Sequence, residues 1–158
     1  MGHHRAPGNW WRAEDRLAIA QEARNARSCE FCAERKAALS PFAVTGKHTV
    51  STNLPEAAVD AVHRIVTDAS RLSESWVKEL AAIGISDGHY VELLGVVVSV
   101  VSIDGFHRAM GFELEPLPAP KIGFCFRQVR RLHAGYPSAV VFRTSRSVSS
   151  RFAALGCR

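Results

Sequence analysis

Residues 93–103, Leu-Leu-Gly-Val-Val-Val-Ser-Val-Val-Ser-Ile, carry no charge, so the fold has to bury much of this segment. Six of the eleven are Val or Ile, and β-branched residues favour strands. Spacing argues the other way. Glu92, Gly95, Ser99 and Ser102 are separated by three, four and three positions, which places them on one helical stripe. A strand would need even steps. The segment therefore reads as a core helix. Glu92 and Asp104 bound it, and apolar runs of roughly 10–14 residues are core helices rather than membrane spans. The small-residue stripe would let another helix approach closely, either inside the chain or across an oligomer contact. Gly111 is the expected stop.

The other segments also read as helices. Residues 12–27 have Ala13, Leu17, Ala20 and Ala23 or Ala26 along one side, with Glu14 and Asp15 near the start, where acids suit the helix dipole. Asn53 followed by Glu56 reads as a capping box, with Pro55 in the first turn. The helix after it sets Ala58, Val59, Val62, Ile65, Val66 and Ala69 against Glu56, Asp60, Arg64 and Asp68. Ser73 caps a short helix through Trp76, Leu80 and Ile83, ended by Gly84. Ser86 and Asp87 open the long apolar helix.

Residues 29–32, Cys-Glu-Phe-Cys, form the one motif with chemistry of its own. Two thiols at this spacing can cycle between dithiol and disulfide, and a helix N-terminus lowers a thiol pKa. Ser28 is a suitable N-cap, and residues 33–39 are mostly helix formers that should stop near Ser40, before Pro41. The same spacing also serves as half of a metal site, or as two small buried apolar residues.

Four cysteines in 158 residues do not make a disulfide scaffold, and no apolar segment follows Met1-Gly2-His3-His4-Arg5. The expected compartment is the cytoplasm, where thiols stay reduced. The net charge of +5 hides an asymmetry. Residues 1–120 hold twelve basic and fifteen acidic residues, −3, whereas residues 121–158 hold eight basic residues and no acid, +8. We read residues 1–9 as a flexible arm, 10–118 as one helical domain, and 119–158 as a basic, Arg/Ser-rich, poorly ordered tail. Such a tail also fits translation out of frame after about residue 121. Its arginines interleave with aromatics but form no recognition motif, so a nucleic-acid partner is not expected.

Residues 28–36 (Ser-Cys-Glu-Phe-Cys-Ala-Glu-Arg-Lys), followed in order by residues 82–95 and 102–111, resemble the AhpD-like / carboxymuconolactone decarboxylase superfamily. The resemblance covers about residues 10–118. It implies an all-α AhpD-like helical bundle and a thiol-dependent hydroperoxide reductase of the alkylhydroperoxidase type. Cys32 would be the attacking sulfur and Cys29 the resolving one. The implied partners are a hydroperoxide substrate, a dithiol or lipoyl-protein reductant, and further copies of the chain as a trimer or larger; no cofactor and no membrane are implied.

The chain departs from the family's proton relay. The family glutamate twelve residues before the first cysteine falls on Leu17, and its histidine four residues after the second falls on Lys36. Glu14, one turn from Leu17, is the expected substitute, with Glu22 pointing elsewhere. Lys36 would favour a thiolate but is a poor proton shuttle near neutral pH. His63 reads as a boundary residue of its helix, and His48, His89 and His107 have no sequence support for a role. The alternative function is a non-catalytic or redox-sensing member of the same fold. Cys125 and Cys157 stand alone and no histidine pair has ligand spacing, so no metal site is expected.

Overall fold

The computed structural model describes residues 8–120; the arm expected at residues 1–7 and the tail expected from residue 121, including Cys125 and Cys157, lie outside them. Five α-helices follow in order: α1 (Ala13–Asn25), α2 (Glu30–Ala37), α3 (Glu56–Asp68), α4 (Glu74–Ala82) and α5 (Asp87–Ala109). Short 3-10 turns extend α1 through Ala26–Ser28 and α3 through Ala69–Arg71. No strand occurs among the described residues, so the fold is all-α.

α5 is the spine, and spacing rather than propensity decided its conformation. Leu93, Val96, Val97 and Val100 are buried at steps of three, one and three, against α1 and α3. Burying each such side chain contributes about 1.5–3 kcal/mol. With its flanking turns α5 reaches 23 residues, so by length and composition it is long and apolar enough to cross a membrane. Within this fold one face of it is core, while Val91 and Val98 on the other face are exposed. Asp104, 1% exposed, is held by Arg24 of α1 through two bonds of 2.8 and 2.9 Å. Among the described residues the small-residue stripe is left unpacked: Gly95 and Ser102 are exposed, and a Cβ on Gly95 would meet nothing within 4 Å.

Both glycine stops hold. Gly84 (φ 101°) and Gly111 (φ 72°) adopt the left-handed conformation that favours glycine. In each case paired backbone bonds close a Schellman motif: Ile85 to Leu80 and Gly84 to Ala81, then Phe112 to His107 and Gly111 to Arg108. Ser73 and Ser86 accept from the third residue of their helices as expected. The capping box at Asn53 is not formed; Pro55 itself is the N-cap of α3. α2 ends at Ala37, and Arg71 donates to the carbonyls of Arg35, Lys36 and Ala38, satisfying its last turn.

The start of the domain is tied to α5. Asn9 and Trp10 donate backbone N–H groups to the Glu92 carboxylate at 3.1 and 3.0 Å, and the Trp11 indole donates to the His89 carbonyl at 2.8 Å. Residues 8 and 9 are thus anchored, unlike the free arm expected there.

Candidate thiol site

α1 runs through its 3-10 turn directly into Cys29. This residue, not Ser28, is the N-cap of α2, with extended backbone (φ −75°, ψ 116°). The Ser28 hydroxyl donates to the Asn25 carbonyl instead. Cys32 therefore occupies the first turn of α2, near the positive end of its dipole. Both cysteines are reduced and 3% exposed.

Two histidines converge on them. His63 Nδ1 lies 3.2 Å from Cys32 Sγ. His48 Nδ1 lies 3.4 Å from Cys32 Sγ and 3.8 Å from Cys29 Sγ. Each ring is fixed from behind by a carboxylate: His63 Nε2 is 2.9 Å from Glu22 Oε1, and His48 Nε2 is 3.0 Å from Asp60 Oδ1. Asp60 accepts from Arg35 and Arg64, both at 2.9 Å. Glu22 is fully buried and also accepts from Asn25, Thr52 and both the backbone N–H and the hydroxyl of Ser51.

These contacts set the charges. Burial pushes the Glu22 carboxyl up, but the hydrogen bonds from His63, Asn25, Thr52 and Ser51 outweigh it and hold the group below its ordinary 4.5. Burial pushes His63 down and His48 adds to this, so despite Glu22 the imidazole lies below 6.5 and is neutral at pH 7. With its Nε2–H given to Glu22, its Nδ1 lone pair faces Cys32. His48 goes the opposite way. Burial opposes its charge, but Asp60 and the two cysteines push it up to about 10. Burial opposes ionisation of Asp60 too, yet His48, Arg35 and Arg64 hold it well below the usual carboxylate range. For Cys29, burial is outweighed by the polar backbone at Thr49 and Cys32 and by His48, bringing the thiol from 9.0 to about 7.

The thiols face a surface cavity of about 290 Å³ whose lining includes Cys29, Cys32, Ala33, Lys36 and Val66. A second cavity of about 410 Å³ opens on the other flank against Phe31, Arg35, His48, Val59 and Asp60.

Of the residues expected from sequence, the structure brings Cys29, Cys32 and Lys36 to one cavity. Glu14 is exposed and lines a different groove, with Asp15, Leu17 and Thr52. Two readings are corrected. Glu22 does not point elsewhere; it sits on the buried face of α1 with Ile19, Ala23 and Ala26. His63 is not a boundary residue; it is fully buried beside Val59 and Val62. The sequence held a signal for both, since each is a polar residue at helical spacing within an apolar face (19, 22, 23, 26 and 59, 62, 63, 66). His48 and its partner Asp60 had no such signal, because the connector at residues 38–55 is placed by tertiary contacts alone.

No metal pattern is legible along the sequence, yet the fold gathers one ligand atom each from Cys29, Cys32, His48 and His63 within 4.8 Å of one another. A buried dithiol, a neutral base, a cationic histidine and two ionised carboxylates can move protons at sulfur or hold a thiophilic cation. Comparison of the chain with protein-family models, with curated proteins and with solved structures finds no match in any of the three.

Proposed function

We propose that this protein is a thiol-dependent hydroperoxide reductase of the alkylhydroperoxidase type, an AhpD-like helical domain working through Cys29 and Cys32. The observation that carries the reading is the buried chain Glu22–His63–Cys32, with links of 2.9 and 3.2 Å. It supplies a glutamate and a histidine in place of the two relay residues missing from the family positions.

In this reading His63 Nδ1 takes the proton of the Cys32 thiol, while Glu22 fixes its tautomer and stabilises the imidazolium that forms. The thiolate attacks the terminal oxygen of a hydroperoxide entering from the 290 Å³ cavity. The O–O bond breaks, the leaving alkoxide takes the proton back from His63, and Cys32 becomes a sulfenic acid. Cys29, whose pKa of about 7 leaves it substantially ionised at neutral pH, attacks the sulfenic sulfur. Hydroxide leaves as water, taking a proton from His48, and a disulfide remains. A dithiol or lipoyl-protein reductant in the cytoplasm returns the pair to the reduced state by exchange. The exposed Val91, Val98 and Phe106 on the outer side of α5 support self-association as a homo-oligomer, trimer or larger.

The alternative, a non-catalytic or redox-sensing domain, predicts thiols near their reference value of about 8.5. A measured Cys32 pKa clearly below that value would count against it. The test is to add hydroperoxide to reduced, metal-free protein and map disulfides by mass spectrometry. Loss of two thiols per chain to a Cys29–Cys32 bond, abolished in Cys32→Ser, is expected. Free thiols surviving excess peroxide would refute the proposal.

A further inference from the structure

The same four atoms have a second chemistry that peroxide reduction does not use. Zn²⁺ takes Cys sulfur at about 2.3 Å and His nitrogen at about 2.0 Å in a tetrahedron, which sets a sulfur–nitrogen edge of about 3.5 Å. Three sulfur–nitrogen edges here are 3.2, 3.4 and 3.8 Å. All four ligand atoms fall within 4.8 Å of one another, so a single ion between them requires the widest edge to close by about 1 Å towards the tetrahedral value.

The outer contacts point the same way. A metal-binding histidine offers one ring nitrogen to the ion and gives the other N–H to a carboxylate or carbonyl. Both histidines do this in the same sense: Nδ1 faces the sulfurs while Nε2 is held by Glu22 or Asp60 at 2.9 and 3.0 Å. Most of the charge is offset, and the Glu22 carboxylate behind His63 is held by the neutral donors of Asn25, Ser51 and Thr52. Two thiolates offset the ion, and the Asp60 carboxylate that orients His48 is itself offset by Arg35 and Arg64. Hard cations such as Mg²⁺ and Ca²⁺ prefer oxygen ligands and are excluded by this donor set.

We propose that Cys29, Cys32, His48 and His63 form a tetrahedral Cys₂His₂ site for one thiophilic divalent cation of the Zn²⁺ class. Four protein ligands leave no open position, so the ion acts as a cap on the dithiol rather than as a Lewis acid. While it is bound, both sulfurs are tied to the ion and attack more slowly than free thiolates. Oxidation by a hydroperoxide would then discharge it: two zinc-bound thiolates, ROOH and two protons give the disulfide, ROH, water and free Zn²⁺. This site stands on the ligand geometry and does not depend on the peroxidase reading.

The test uses Co²⁺ as a spectroscopic stand-in on the reduced full chain, in wild type and in Cys125→Ser/Cys157→Ser, where Cys29 and Cys32 are the only thiols. One Co²⁺ per chain is expected, with intense tetrahedral visible bands and thiolate charge transfer in the near ultraviolet, displaced by one equivalent of Zn²⁺. Asp60→Asn should weaken binding by about 10–100-fold while circular dichroism stays helical. Weakly absorbing six-coordinate cobalt in folded, reduced protein overturns the proposal. So does a tetrahedral spectrum that survives Cys32→Ser. Disulfide formation is measured separately on metal-free protein, so failure of the metal site and failure of the redox reading are told apart.

Discussion

Replacing Glu22 by Gln tests the centre of the site with the smallest change of shape. The Glu22 carboxylate accepts from five donors: His63 and Asn25 on Oε1, and the Ser51 N–H, the Ser51 hydroxyl and Thr52 on Oε2. A glutamine turns one oxygen into an NH₂. Placed on the Oε2 side it would confront the Ser51 backbone N–H, which cannot turn away. Placed on the Oε1 side it leaves the Asn25 amide with the Thr49 carbonyl alone and forces His63 into the other tautomer, with Nδ1 protonated towards Cys32. The second arrangement costs less and gives up two bonds to a charged acceptor, about 1.5–3 kcal/mol each, partly recovered by the new tautomer. We predict a destabilisation of about 3 kcal/mol at pH 7. With a urea m-value of about 1.5 kcal/mol per M, that lowers the midpoint by about 2 M at unchanged slope. The sign with pH follows from the lowered carboxyl. Its contribution is present above the ordinary 4.5 and is lost as pH falls through the folded value, so the gap between wild type and variant closes in acid. The altered tautomer also removes the base, so peroxide-driven disulfide formation should slow by about 10²-fold. Equal midpoints at pH 7, or a gap that stays constant into acid, would refute the account of Glu22.

Three further predictions follow from other contacts. In metal-free His48→Ala, the pH profile of thiol alkylation at Cys29 should move from a midpoint of about 7 towards 9.0, because the cation beside the sulfur is gone; an unmoved profile would contradict this. The same variant should be less stable than wild type below pH 6.5, where the raised His48 pKa contributes fully. That deficit should fade as pH rises through about 10, as chemical denaturation across pH will show. Asp104→Ala leaves the Arg24 guanidinium, 17% exposed, with the Glu115 carbonyl alone and should cost about 3 kcal/mol, the lower end for a broken buried pair; a loss under about 1 kcal/mol in denaturant would show the pair to be dispensable. If the proposed homo-oligomer forms through the exposed face of α5, Val98→Arg should reduce its sedimentation coefficient while helicity is kept, and an unchanged coefficient would refute that interface.

The order of helices, the caps at Ser73 and Ser86, and the stops at Gly84 and Gly111 were legible in the sequence because each depends on residues within a turn or two of one another. The helical state of residues 93–103 was legible for the same reason: three-four spacing is a local pattern, and here it outweighs β-branched propensity. Cys29 and Cys32 were legible as a pair because their chemistry lies in their separation. What surrounds them was not. The family positions for the relay hold Leu17 and Lys36, and local reasoning turned to Glu14, the near neighbour of Leu17. Glu22 and His63 reach the sulfur because α1 and α3 bury their apolar faces against each other, which takes these two polar residues into the core. There each satisfies the other, since a buried carboxylate and a buried imidazole without partners would be too costly to keep. His48 arrives through a loop that no periodicity describes, held by Asp60 one helix away. The sequence by itself therefore determined a helical scaffold bearing a dithiol. Only the tertiary structure decided that the dithiol has a base, a cation and four convergent ligand atoms, because those arise from side chains 16 to 41 residues apart meeting in one buried polar cluster.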